Sequence, residues 1–274
     1  MNPPPFHHAH PASTLPAGQH LRQLRRQAGL SQLDLALMTG ISQRHLSCVE
    51  TGRAKPGPGT LHALLSALGA PLEHGNEVFL AAGYAPRYAI SPLDAPALDM
   101  VHNAIGHILQ ANNPAPAIVI DRNWDITASN TSVGLLLAMV GVPASEGMNL
   151  NLLQTLMHPD GLGSHIVNAR EVRAAAWQRA SREAAGNPYL SDLLRELPAP
   201  EPGDEKAEAT PVLLTRVNTP GGELRFLSTF TTFGMPLDIS VESMRIEHLI
   251  PADEVTWQRM RAAFEAWSGE QVPA

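Results

Sequence analysis

The chain has a single cysteine, Cys48, in 274 residues. One thiol excludes an intramolecular disulfide and any cysteine-based zinc site. Positive charge is scarce: 19 Lys and Arg face 26 Asp and Glu, a net −7 with histidine neutral. That balance argues against general attraction to nucleic acid. Long apolar runs are missing. The longest, Val133 to Val142, is about half a membrane span. The start, Met1-Asn2-Pro3-Pro4-Pro5, has neither the basic residues nor the apolar run of a signal peptide. These absences lead us to expect a soluble, cytoplasmic protein. Catalytic signatures are lacking too: there is no GxSxG, HExxH, Walker loop or dinucleotide fingerprint. Gly161-Leu162-Gly163 lacks a preceding strand and a third glycine, and reads as a turn into a helix. The expectation is a protein that is not an enzyme, with no catalytic and no metal-binding residues.

What charge there is lies unevenly. Between Gly18 and Thr60, six basic residues (Arg22, Arg25, Arg26, Arg44, Arg53, Lys55) face two acidic ones (Asp34, Glu50), a net +4 that leaves −11 for the rest. A local basic patch on an acidic chain is the footprint of a phosphate-binding face. Residues 1–17 are rich in proline and carry His7, His8 and His10; they read as a disordered polar tail rather than a metal site. Five short helices are expected over residues 18–82. Gly29 ends the first, Ser31 caps the second (Gln32 to Thr39), Ser42 caps the third, Gly52 stops it, Thr60 opens the fourth, and the fifth covers Glu73 to Ala82.

The second and third helices, joined at Gly40, have the spacing of a helix-turn-helix whose second helix enters the DNA major groove. In Ser42 to Thr51, apolar Leu46 and Val49 face inward. The other side carries Gln43, Arg44, Ser47 and Cys48, and Gln and Arg there suit bidentate bonds to adenine and guanine edges. Gln32, at a helix N-terminus, is placed to meet a phosphate, and Arg53 and Lys55 to hold the flanking backbone. Cys48, beside Arg44 and His45 on the groove side, offers a second reading as a redox switch, against a plain one as a small residue packed under the helix.

Residues 18–69 resemble the lambda-repressor-like helix-turn-helix of the XRE transcription regulators. The resemblance runs through Leu21, Arg25, Gly29-Leu30-Ser31-Gln32, Leu35-Ala36, Gly40-Ile41-Ser42, Leu46, Glu50, Gly52, Pro56 and Leu61. It implies an all-α domain, and a structural ion pair falling on Arg25 and Glu50.

Residues 83–97 read as a linker and 98–268 as a second domain, with 269–274 a tail. A helix over Leu98 to Ala111 comes first. A hairpin follows, Ala117 to Ile120 and Trp124 to Thr127 about the turn Asp121-Arg122-Asn123, then a helix over Ser129 to Met139. Residues 149–196 read as mostly helical. Strands are expected at 212–217, 223–233 and 243–250, the first two joined by Thr219-Pro220-Gly221-Gly222, and then a helix over Glu254 to Trp267. Five strands interleaved with helices indicate an α+β domain.

This domain resembles the MmyB-like ligand-binding domain, a PAS-like fold attached to XRE regulators. The blocks that carry it are Pro116 to Ile126, Asn130, Asn151-Leu152-Leu153, Met157-His158-Pro159, Asn168, Thr219 to Arg225, Ser228 to Gly234 and Ile250 to Glu254. It implies a sheet of about five antiparallel strands enclosing a small apolar, fatty-acid-like ligand, with no other cofactor. Candidate lining residues are Leu135, Leu136, Met139, Leu153, Met157, Trp177, Phe226 and Phe230; Met suits a pocket for a flexible chain. Candidates for the head group are Asn130, His158 and Arg170. Their plainer roles are a helix cap, a turn residue before Pro159 and a solvated face, and a lone His158 is a weak signal for haem ligation. The sequence thus reads as a DNA-binding regulator, a homodimer on an inverted-repeat operator, answering to a small ligand. The competing reading makes the second domain a dimerisation or partner scaffold without ligand.

Overall fold

The computed structural model describes residues 15–142, 150–158, 161–184, 187–201 and 211–270. The amino-terminal histidines His7, His8 and His10 lie outside them. The chain forms two compact units. One comprises Met1–Ser91 with Pro236–Glu242, the other Pro92–Met235 with Ser243–Ala274.

The first unit opens with α1 (Ala17–Gln27), α2 (Gln32–Thr39), α3 (Gln43–Glu50), α4 (Pro58–Ala67) and α5 (Leu72–Ala81). Local chemistry sets their ends. Ser31 and Asp34 exchange side chain and backbone at 3.1 Å in both directions, a reciprocal capping box. Gly40 takes the left-handed conformation (φ 69°) that ends α2, and Ser42 Oγ accepts from the His45 N–H to open α3. The fourth helix starts at Pro58 rather than at Thr60, because proline at the first helical position costs no hydrogen bond. Leu21, Leu35, Leu46, Leu61 and Leu64, one or more from each of α1–α4, are fully buried together. Gly18 lets α1 close onto α3: a Cβ there would stand 2.2 Å from the Val49 carbonyl oxygen.

The second unit contains α6 (Asp99–Asn112), β1 (Ala117–Ile120), β2 (Ile126–Ser129), α7 (Thr131–Met139), α8 (Leu152–Met157), α9 (Ala169–Glu183) and α10 (Pro188–Glu196). It continues with β3 (Leu214–Thr219), β4 (Gly222–Thr232), β5 (Arg245–Pro251) and α12 (Glu254–Glu270); between β4 and β5 the chain forms a short helix, α11 (Ile239–Ser243), which as far as Glu242 belongs to the first unit. The five strands form one antiparallel sheet in the order β2-β1-β5-β4-β3. The second strand begins at Ile126 instead of Trp124. Asp121 Oδ1 gathers the N–H groups of Asn123 and Asp125, and Trp124 sits at φ 68° with its indole buried, so the chain is still turning there. Apolar residues of this unit gather in clusters. Ile120, Trp124, Leu153 and Met157 pack with α9 and α10, while Val217, Leu224, Phe226 and Met260 pack with Leu136, Met139 and Leu249.

The segment between β4 and β5 is built into the first unit. Ala89 and Asp238 bridge in parallel, with the Ile239 N–H donating to the Ala89 carbonyl at 2.9 Å. Asp238 Oδ2 accepts from Ser91 Oγ at 2.6 Å and from the Ser91 N–H at 3.2 Å. The Glu242 carboxylate accepts from the Leu72 N–H at 2.9 and 3.1 Å, capping α5. The first unit therefore reaches to Ser91 and takes in residues 236–242, beyond the span 18–82 expected for it.

Candidate DNA interface and sensor site

On α3, Leu46 and Val49 are buried while Gln43 and Arg44 stand exposed and Ser47 and Cys48 are half-buried. Ser42 is exposed at the cap. Five of the six basic residues in this segment are exposed: Arg22, Arg26, Arg44, Arg53 and Lys55. Arg53 Nε donates to Thr51 Oγ1 at 3.0 Å, and Lys55 Nζ lies 4.7 Å from the Tyr84 ring centre.

The sixth, Arg25, is buried. Its Nε donates to Glu50 Oε1 at 2.6 Å and its Nη2 to Glu50 Oε2 at 3.0 Å, while Nη1 holds the Leu30 carbonyl at 2.7 Å. Gln32 joins the pair: its side-chain amide donates to Glu50 Oε2 at 2.8 Å, so this side chain ties α2 to α3. Burial alone would raise the Glu50 carboxyl; the hydrogen bonds from Arg25 and Gln32 and the charges of Arg25 and Arg22 outweigh it and hold the group below its ordinary value. The network fixes the angle at which α3 presents Gln43 and Arg44.

In the second unit the expected lining residues fall into two groups. Leu153, Met157 and half-buried Trp177 share one cluster, and Leu136, Met139 and Phe226 share the other. The apolar helix α7 is mostly half-buried: Leu135, Leu136 and Met139 all keep partial exposure. Phe230 is 43% exposed, and His158 is exposed at the end of α8. Asn130 is buried and satisfied. It accepts from the Ala117 and Val133 N–H groups and donates to the Leu109 and Ala115 carbonyls, so it is a joint between β1, α6 and α7. Arg170 is half-exposed, 3.6 Å from Glu201.

The polar centre of this unit lies elsewhere, on residues that sequence reasoning missed. Glu183 of α9 accepts at Oε2 from the Trp124 indole and from Arg245 Nη2, both at 2.8 Å, and at Oε1 from Arg179 Nε at 3.0 Å. The Arg179 guanidinium lies 3.7 Å from the Phe230 ring centre. Arg245 Nε is buried without a partner among the described residues. Burial lowers the Arg245 pKa and raises that of Glu247, whose carboxylate accepts from Ser228 Oγ. The missed signal was Arg245-Ile246-Glu247, two charges at alternate positions of a strand flanked on both sides.

The model of the MmyB-like transcription regulator ligand binding domain matches residues 101–263, and a helix-turn-helix domain model matches residues 17–77. The chain belongs to the MmyB-like transcription regulators. Its first quarter resembles other regulators. The uncharacterized HTH-type transcriptional regulator y4dJ of Sinorhizobium fredii is 42% identical over 52 residues, 19% of this chain and 68% of that protein. The uncharacterized HTH-type transcriptional regulator RghRB of Bacillus subtilis is 42% identical over 60 residues, 22% of this chain and 43% of that protein. The restriction-modification controller protein C.AhdI from Aeromonas hydrophila is 33% identical, covering 23% of this chain and 91% of that one, with a TM-score of 0.21. This MmyB-like regulator thus joins an XRE-like DNA-binding region to an α+β ligand-binding domain built on a five-stranded antiparallel sheet. Among the described residues no helix is long and apolar enough to cross a membrane.

Proposed function

We propose that this regulator reads a specific operator through Gln43 and Arg44, with Ser47 and Cys48 along the same helix side and Ser42, Arg53 and Lys55 toward the backbone, and that its second domain senses a small apolar, fatty-acid-like molecule. The observation that carries the first half is α3 itself: two exposed polar side chains on a helix whose opposite face is locked by Leu46, Val49 and the Arg25–Glu50 pair. One such helix covers only a few base pairs, which supports a homodimer on an inverted repeat. The half-buried apolar row of α7 supports the sensor reading, since those side chains have room to gain contact. A regulator that acts on DNA works in the cytoplasm on this reading. Ligand shifts DNA binding only as far as it prefers one state of the protein.

Arg44→Ala tests the assignment. Discrimination between operator and random DNA falls by about 1–3 kcal/mol, read by competition binding, while the circular dichroism spectrum is unchanged. Undiminished discrimination removes α3 from the groove.

A further inference from the structure

Residues 236–242 leave the second unit after β4, pack in the first and return to enter β5. The chain therefore passes between the units three times, at Ser91–Pro92, Met235–Pro236 and Glu242–Ser243. A simple tether needs one such passage. The two extra ones begin and end on paired strands, since β4 and β5 hold register as far as Thr232 opposite Arg245. Three residues lie between Thr232 and Pro236, and two between Glu242 and Arg245, so the connectors span at most about 14 and 11 Å. The shorter one contains Met244, which is buried.

In the first unit the segment is fastened near both ends. Asp238 Oδ2 takes the Ser91 hydroxyl and N–H, its Oδ1 accepts from the Ser240 N–H at 2.8 Å, and Ser240 Oγ donates to the Ser91 carbonyl at 2.8 Å. Glu242 supplies the Leu72 N–H with the acceptor that Pro71, at the N-cap of α5, has no side chain to offer. Ile239 and Val241, between these anchors, are buried. Asn76 of α5 then ties in the stretch before Ala89: its Oδ1 accepts from the Arg87 and Tyr88 N–H groups at 2.8 and 2.9 Å, and its Nδ2 donates to the Tyr88 carbonyl at 2.8 Å. Both anchors thus lead to α5, whose Val78 and Phe79 share a buried cluster with Leu46 and Val49 of α3.

We propose that residues 236–242 are a coupling strap, which makes the stability of the DNA-binding unit depend on the pairing of β4 and β5. Connectors this short pass a shift of either strand on to Asp238 and Glu242. The strap then either follows, carrying the start of α5 with it, or opens its bonds and leaves α5 uncapped. Each outcome alters the core on which α3 rests. A change of state in the second domain, whatever brings it about, gains by this route a physical path to the reading helix.

Hydrogen exchange of the full-length protein tests the strap with neither ligand nor DNA added, so its result stands apart from the sensor reading. Ile246→Val trims a buried side chain of β5 and is expected to speed exchange of β5 amides about threefold. The amides of Val78 and Phe79 in α5 are expected to speed up with them in the otherwise wild-type chain. Inserting Gly-Ser-Gly-Ser after Gly234 and again after Ser243 lengthens both connectors and leaves Asp238 and Glu242 free to dock. In that background Ile246→Val is expected to change β5 and not α5. Should the insertions not fold, Asp238→Ala takes their place: it speeds α5 by itself, and Ile246→Val then adds nothing there. Val119→Ala, opposite Ile246 on β1, serves as the sheet perturbation should Ile246→Val leave β5 exchange unchanged. Exchange of α5 that ignores a faster β5 in the otherwise wild-type chain, or a response of α5 that survives the insertions or Asp238→Ala, overturns the strap and reduces residues 236–242 to packing of the first unit.

Discussion

Arg25 and Glu50 meet through two hydrogen bonds, 2.6 and 3.0 Å, inside the DNA-binding unit, with side-chain exposures of 9% and 1%. They join the first helix to the end of the reading helix and hold it without touching the exposed face.

Removing one partner strands the other. Glu50→Ala is expected to destabilise the unit by about 3–5 kcal/mol in urea or thermal unfolding, because an uncompensated guanidinium stays buried. DNA binding then fails through loss of structure. The folded Glu50 pKa lies below its ordinary 4.5, so the pair's contribution is present above that value and is lost as pH falls through the folded one. The stability difference between wild type and Glu50→Gln is expected to shrink on acidification below about pH 4.

Arg53 and Lys55 lie past the glycine stop, and on the proposed reading they hold the DNA backbone and read no base. Their alanine variants are expected to weaken binding to operator and random DNA alike, each lowering the salt slope by about one unit. A change in operator preference would move them into the groove.

Cys48 is half-buried on α3 and is the chain's only cysteine. Cys48→Ser is expected to bind operator as wild type does, and mild peroxide to leave both unaffected. Loss of binding by oxidised wild type alone would establish the thiol as a switch.

Glu242 caps α5, and burial raises its pKa above the ordinary carboxylate value. The charged form is therefore disfavoured in the folded protein. Glu242→Gln, which keeps an acceptor for the Leu72 N–H, is expected to melt at or slightly above wild type at pH 7, with the difference closing toward pH 4. Glu242→Ala removes the cap and is expected to cost about 1 kcal/mol.

Much of the helix-turn-helix was legible because its signals are local. Ser31, Gly40 and Ser42 act within a few residues of their own backbone, so caps and turns could be placed from the sequence. The Arg25–Glu50 pair came from the resemblance, since nothing local joins positions on different helices. Gln32 shows the limit: a residue suited to a phosphate spends its side-chain amide on Glu50. The five strands were legible from alternation and turn chemistry. The late start of β2 was not, because it depends on burial of the Trp124 indole beside Glu183, far along the chain. The charged corner was hidden for the same reason, with Arg179, Glu183, Ser228, Arg245 and Glu247 meeting only after α9, β4 and β5 come together.

The contribution of residues 236–242 to the first unit bears on the order in which the protein is made. Synthesis runs from the amino terminus, and domains tend to fold as they emerge. The five amino-terminal helices leave the ribosome early, yet the acceptor for the Leu72 N–H and the partner of Ser91 arrive only after β3 and β4 have been translated. A nascent chain therefore does not own a finished DNA-binding unit until most of its ligand-binding domain exists. A gene fragment stopped after Ser91 would encode the reading helix without the residues that complete the unit around it.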